Sequence, residues 1–217
     1  MDRETFAAPG MPAPKRSKKS ESSNASAGSS KTGSYHHGDL KPALIDAARE
    51  ILRGPKGVAG LSLRSIATAI GVSHMAPYAH FKSKQELLLA IAVAGFAELA
   101  ERMSAAQSRQ VRGRELAVNY GEAYLGYALE NPELYRVMMS QINPEGIESS
   151  GPQQLQDHQA LRRPFLLLYA AFKSSRLDRA TARARAIGAW STVHGMAALL
   201  IDGHLDVPEG MDVIELF

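Results

Sequence analysis

The side chains best suited to chemistry crowd into one stretch of this 217-residue chain. Ser62, Arg64, Ser73, His74, Tyr78, His80 and Lys84 lie close together there, with Met75 and Ala76 among them. They are hydrogen-bond donors and cations interleaved with small apolar surfaces, a set that holds a polar or anionic partner rather than one that breaks bonds. The rest of the sequence offers little for catalysis. Cysteine is absent, which removes a thiolate nucleophile, a disulfide framework and Cys-ligated zinc. There is no nucleophile elbow, no phosphate-cradling glycine loop and no recognisable carboxylate pair. His36 and His37 are adjacent and point apart, and His74 and His80 are six residues apart. No histidine pair has the four-residue spacing that sets two imidazoles on one helical face beside a carboxylate. His194, with Asp202 and Asp206 nearby, is the one faint acid–base group. A lone histidine on an apolar helix is more often a hydrogen-bonded core residue. No catalytic residue, metal site or cofactor is expected.

The elements around the cluster explain its spacing. Leu63, Ile66, Ala67 and Ile70 form an apolar stripe at helical intervals. Gly71 stands where that helix ends and the chain must turn left-handed. Ser73 is placed to cap a second, very short helix carrying His74 to His80. Pro77 removes one backbone donor from it, a tolerable cost at the fourth helical position. Ser83-Lys84-Gln85-Glu86 is a capping box that opens a third helix. Helix, tight turn and short helix together make a helix-turn-helix, sized to put its second helix into the major groove of DNA.

The same residues carry a family likeness. LRSIATAIGVSHMAPYAHFKSKQELLLAI, at 63–91, resembles the DNA-binding signature of the tetracycline-repressor (TetR/AcrR) family of bacterial regulators. The matching residues are Leu63, Ile66-Ala67, Gly71-Val72-Ser73, Tyr78, His80-Phe81, Lys84 and Glu86-Leu87-Leu88. YHHGDL at 35–40 and WSTVHGMAALLIDG at 190–203 resemble the two ends of a subfamily with a Trp-x-x-x-His-Gly motif in its last helix. The likeness implies an all-α protein: an N-terminal three-helix DNA-binding domain, then a helical ligand-binding and dimerisation domain. It implies a homodimer on a palindromic duplex operator, acting as a repressor that a small-molecule inducer releases. It assigns His74, Met75 and Ala76 to base edges. A histidine donates to guanine or accepts from an adenine or cytosine amine, and Met75 and Ala76 can pack on a thymine methyl. Tyr78, His80 and Lys84 resemble phosphate contacts. Arg64 matches a position that reaches guanine, and Ser62 caps its helix and can donate to a phosphate. A core role for Tyr78 and a solvated surface role for His74 remain the plain alternatives.

Charge placement agrees with a nucleic-acid partner. Net charge is +3 overall, with +3 in residues 1–34, +3 in 35–86 and −3 in 87–217. The positive end is thus the end that carries the helix-turn-helix. Residues 1–34 are rich in Ser, Ala, Gly, Pro and Lys, and such a segment is expected to be a disordered basic tail. Residues 35–86 read as three helices, the first capped by Asp39 with Leu40, Leu44, Ala47, Ala48, Ile51 and Leu52 inward. Residues 87–205 read as helical throughout and 206–217 as a C-terminal tail. Breaks are expected near 109–113, 131–132, 143–152 and 174–176, and after Gly203. With no membrane-length apolar run and no signal-peptide core, a bacterial cytoplasmic location and no membrane partner are expected.

In the C-terminal part, helices at about 153–174 and 179–203 are the candidates for dimerisation. Ala186, Ala189 and Ala197 permit close helix approach, and Val193, Leu199 and Leu200 supply apolar mass. Tyr120, Tyr124, Tyr127, Met138 and Met139 are candidate linings for an inducer cavity. Phe165, Tyr169, Phe172, Trp190 and His194 join them from the last two helices. Plain core packing is the alternative for each. An enzyme is only the third reading. A ligand-insensitive, dimeric DNA-binding protein with an architectural role is the second reading.

Overall fold

A computed structural model of the chain describes residues 40–107, 110–142, 152–173 and 176–206, with helix course but not side chains at 152–156 and 158. The basic tail, the YHHGDL start beyond Leu40, the Asp39 cap, the break at 143–151 and the tail after Asp206 lie outside the described residues. The described residues form seven α-helices and no strand: α1 Leu40–Arg53, α2 Leu63–Ala69, α3 Lys84–Ala105, α4 Gly113–Glu130, α5 Pro132–Ser140, α6 Pro152–Lys173 and α7 Arg179–Ile201. Single 3₁₀ turns occur at Gly57–Gly60 and Ala76–Ala79.

Each boundary has a local cause. α1 buries Leu40, Leu44, Ala48 and Leu52, one residue per turn. Ser62 caps α2 by a reciprocal pair with Ser65: its Oγ accepts from the Ser65 N–H at 3.0 Å, and Ser65 Oγ accepts from the Ser62 N–H at 2.9 Å. Gly71 then turns with φ +71°, and an added Cβ there would meet nothing within 4 Å, so backbone conformation, not space, demands glycine. Ser83 accepts from the Glu86 N–H at 3.2 Å, while the Glu86 carboxylate takes the Lys82 N–H at 2.7 Å. Asn131 ends α4 and Pro132 opens α5, where its missing N–H costs nothing. Asp178 caps α7 through the N–H groups of Ala180 and Thr181 at 2.9 and 3.0 Å.

α3 is the spine. It starts against α1 in the head and continues into the body, where it packs on α4, α5 and α6; α7 closes over α4 and α6. The α3–α5 crossing is close because position 95 is glycine: a Cβ there would lie 2.7 Å from the Met138 sulfur. α3 thus runs straight across residue 86. Buried residues of the head (Leu44, Ile66, Phe81) and of the body (Phe96, Tyr124, Leu168) belong to one continuous core.

Candidate nucleic-acid interface and the cavity behind it

The short second helix of the motif is a single 3₁₀ turn rather than the helix from Ser73 that the sequence suggested. Its helical residues are Ala76–Ala79 with Met75 at the N-cap. Pro77 accounts for the difference. It has no N–H to bond backwards, so the chain tightens to i→i+3 bonds: Ala76 to Ser73 at 2.9 Å and Tyr78 to Met75 at 3.1 Å. Ser73 still acts at the turn, its Oγ accepting from the Met75 N–H at 3.3 Å. Buried Pro77 and Phe81 pin the element inward.

What this turn shows to solvent is unusual. Met75 is 70% and Tyr78 51% exposed, although both are large and partly apolar. Ser62, Arg64, Ser73, His74 and Lys84 are exposed as well, and Ala76 and His80 are half-buried. His74 Nε2 lies 3.3 Å from Thr68 Oγ1, and Thr68 in turn bonds the Arg64 carbonyl at 3.0 Å. Arg64, Thr68 and His74 therefore share one surface. The sequence reading missed Thr68, although its position one turn after Arg64 was the available signal. Lys84 Nζ donates to the Val58 carbonyl at 3.3 Å, which holds its charge beside the turn preceding Ser62.

Behind the head, the body holds an open-sided cavity of about 360 Å³ among α3, α4, α6 and α7. Met103, Ala117, Val118, Gly121, Leu168, Ala189 and Val193 give it apolar walls, and Tyr120, Tyr124 and Phe172 give it rings. Arg114, Arg185 and Thr192 are its polar lining. Three of the expected residues, Tyr120, Tyr124 and Phe172, are in place. The others are not in the lining. Tyr127 turns to α3 and bonds Glu98 at 3.2 Å. Met138 fills the crossing at Gly95. Met139 and Tyr169 lie half-buried at the margin of the core. Phe165 stacks edge-on to Trp190 with centroids 6.1 Å apart, and Trp190 likewise on Tyr124 at 5.3 Å, so both stand one layer behind the wall.

His194 is in that second layer too. Its Nδ1 is 2.7 Å from the Tyr135 hydroxyl and 3.4 Å from that of Tyr124, and the two hydroxyls are 3.0 Å apart. Burial, which disfavours charge, pulls the His194 pKa below its ordinary value and pushes the Tyr135 phenol up to about 12. The group is a neutral polar knot that orients Tyr124, not an acid–base pair with Asp202. Asp202 instead pairs with Arg136 at 2.7 Å.

The expected dimer residues also need correction. Ala186, Val193 and Ala197 are 0%, 1% and 0% exposed within the chain itself, so they have no surface left for a partner. Ala189 and Val193 line the cavity. Leu200 is half-buried and Leu199 is 46% exposed. The apolar surface that α6 and α7 leave open is Leu166, Ile187 and Leu199. Gly188 and Gly195 lie along the same helix, and a Cβ at either would meet nothing within 4 Å.

Comparison with known proteins follows this geometry. Residues 44–91 match a model of bacterial regulatory proteins of the tetR family, and residues 117–217 match a model of the tetracyclin repressor-like C-terminal domain. The helix-turn-helix-type transcriptional regulator YobS of Bacillus subtilis (strain 168), itself uncharacterised, is 27% identical over 105 residues. That match covers 48% of this chain, which spans about half (54%) of the length of that relative. A solved structure of a protein of unknown function from Rhodococcus sp. RHA1 is 31% identical, with TM-score 0.67 over 85% of this chain and 92% of that one. The TetR family transcriptional regulator PfmR from Thermus thermophilus shares the fold at 22% identity, with TM-score 0.52 over 80% of this chain and 91% of that one. No described helix is long and apolar enough to cross a membrane.

Proposed function

The chain belongs to the tetR family of bacterial regulatory proteins, a family of regulators and not of enzymes, and from that premise we propose that it is a homodimeric repressor released from operator DNA by a small ligand. Arg64, His74, Met75 and Ala76 read base edges; Ser62, Ser73, Tyr78, His80 and Lys84 hold phosphates. The observation that carries this reading is the exposure of Met75 and Tyr78 on a turn whose neighbours Pro77 and Phe81 are buried. A rigid support that presents large side chains to water is what a groove-reading element needs. The protein acts in the bacterial cytoplasm, where its DNA lies.

One short turn reads too few base pairs, so two copies act on a palindromic site. The open face of α6 and α7, with Leu166, Ile187 and Leu199, supports the two-fold contact. The cavity supports regulation, because α3 joins it to the head. Lys84 at its start holds the turn before Ser62, and Met103, about 28 Å farther along at 1.5 Å per residue, lines the cavity. The Arg49–Glu98 ion pair fixes α1 to the same helix. A ligand that fits one tilt of α3 better than another shifts the spacing of the two heads, and needs only that difference in affinity to do so.

The test is selection of bound duplexes from a random pool with the full chain, followed by titration of the selected site at rising salt. A palindromic site whose affinity falls by orders of magnitude from low to moderate salt is the expected result. Failure to enrich any duplex, or salt-independent binding, overturns the reading.

A further inference from the structure

We infer that the cavity takes a small amphipathic organic anion, with a carboxylate as the head group, and not a neutral or cationic compound. This rests on the reading of the cavity as the ligand site and adds the chemistry of what fills it. Apolar walls come from all four helices, and the charged lining is of one sign: two guanidiniums, Arg114 from α4 and Arg185 from α7, and no carboxylate among the lining residues.

Three observations carry the inference. First, among the described residues no Asp or Glu stands at ion-pair distance from Arg185; the ion pairs there use Arg49, Arg53, Arg102 and Arg136. A guanidinium at the rim of an apolar chamber without a carboxylate beside it favours a ligand that brings one, in the bidentate geometry a planar fork suits. Second, Arg114 stands in the first turn of α4, an 18-residue helix whose N-cap, Arg112, makes no side-chain capping bond. The positive end of that helix adds to the charge of Arg114. Third, the tyrosine hydroxyl most deeply placed is already committed. Tyr124 bonds Tyr135 and His194, so it offers the cavity its ring and not a donor.

Size narrows the class. At about 30 Å³ per water in the liquid, 360 Å³ holds the equivalent of about a dozen waters. An aromatic acid or a short to medium aliphatic acid fits. The body lies against Met103, Leu168, Phe172 and Val193, and the head reaches the arginines.

The experiment compares three probes of one length, octanoate, 1-octanol and octylammonium, by calorimetry and by Trp190 fluorescence, on the full dimer. Trp190 is the one tryptophan of the chain and packs on the cavity wall at Tyr124. Octanoate is expected to bind at least tenfold more tightly than either of the others. Arg185→Gln and Arg114→Gln should each remove most of that preference while leaving 1-octanol affinity unchanged, and Arg185→Gln should leave the melting temperature unchanged as well. Equal binding of octanoate and 1-octanol, preference for octylammonium, unaltered preference in both arginine variants, or no binding of any probe overturns the inference. Release of operator DNA is scored separately. Arginine-dependent octanoate binding with DNA still held keeps the anion site and removes the inducer role. Release by 1-octanol and octylammonium as readily as by octanoate keeps the inducer role and removes the anion site.

Discussion

The head and the body solve opposite problems with the same helices. The head buries its leucines, Ile66 and Phe81 and leaves polar side chains and two large ones outside, so that Arg64, His74, Met75 and Tyr78 face solvent. The body points its rings inward and leaves a chamber between them. An outward-facing site is built from one short stretch of chain held by local bonds. An inward-facing site needs four helices from distant parts of the sequence, and each gives it only one narrow face. Yet the two share α3 and one core, so disturbing the head's packing is not a local event.

The largest effect should come from that shared core. Phe81 is 2% exposed, beneath the reading turn, and Lys41 lies 5.8 Å over its ring. Phe81→Ala should cost about 3–5 kcal/mol and unfold head and body in one transition on urea titration. Two separated transitions would show that the head melts alone and that the continuity through α3 is not cooperative. The next effect concerns the two-fold contact. Ile187→Glu puts a charge on the open face of α7 and should yield monomers by sedimentation, since an unpaired charge in a desolvated contact costs several kcal/mol. Ala189→Glu, two residues on but turned to the cavity, should remain dimeric and lose ligand binding. A monomeric Ala189→Glu with a dimeric Ile187→Glu would exchange the two faces.

Within the head, the comparison sharpens to base against phosphate. Arg64→Ala and His74→Ala should lose about 1–3 kcal/mol each and relax preference at particular positions. Lys84→Ala should weaken binding to all sequences alike and lower the salt slope by about one unit. Uniform weakening in all three would leave no base reader among them.

The difference between the regions also explains what the sequence could tell. Gly71 announces its own left-handed turn, and Ser62 and Ser83 announce the helices they cap, because each acts within four residues. The break at 131–132 was legible for the same reason, and the break expected after Gly203 falls two residues earlier, with α7 ending at Ile201. The 3₁₀ form of the reading turn was not, because the cost of Pro77 is settled by bonds to Ser73 and Met75 that no periodicity reveals. In the body, choosing aromatic residues on facing helices mixed faces: Tyr120 and Tyr124 line the cavity, while Tyr127, three residues on, turns to Glu98. Small residues misled in a second way. Ala186, Val193 and Ala197 let α7 approach its own chain, and the pattern that does so is the same one that would admit a partner helix. Arg114 and Arg185 were passed over because an arginine on a helix is ordinarily read as surface, yet 114, 117, 118, 121 and 124 on α4, and 185, 189, 192 and 193 on α7, are single faces at helical spacing.

The smallest effect expected is one of pH, and it arises in the polar knot of the body. Burial lowers the folded-state pKa of His194. In the unfolded chain it titrates near the ordinary value of 6.5. Above that pH both states are neutral at this site, and its full contribution to stability is present. As pH falls through 6.5 the unfolded chain takes up the proton first, so stability declines until the lower folded pKa is passed and then levels off. His194→Gln keeps a hydrogen-bonding side chain beside Tyr135 and removes the titration, so it should flatten that part of the melting-temperature profile. It should also leave operator affinity at neutral pH unchanged, because Tyr124 and Tyr135 still bond each other. His74→Gln should instead alter sequence preference on DNA. An acid limb that persists in His194→Gln would mean that the proton taken up on unfolding belongs to another group. The knot would then hold Tyr124 in place without sensing pH.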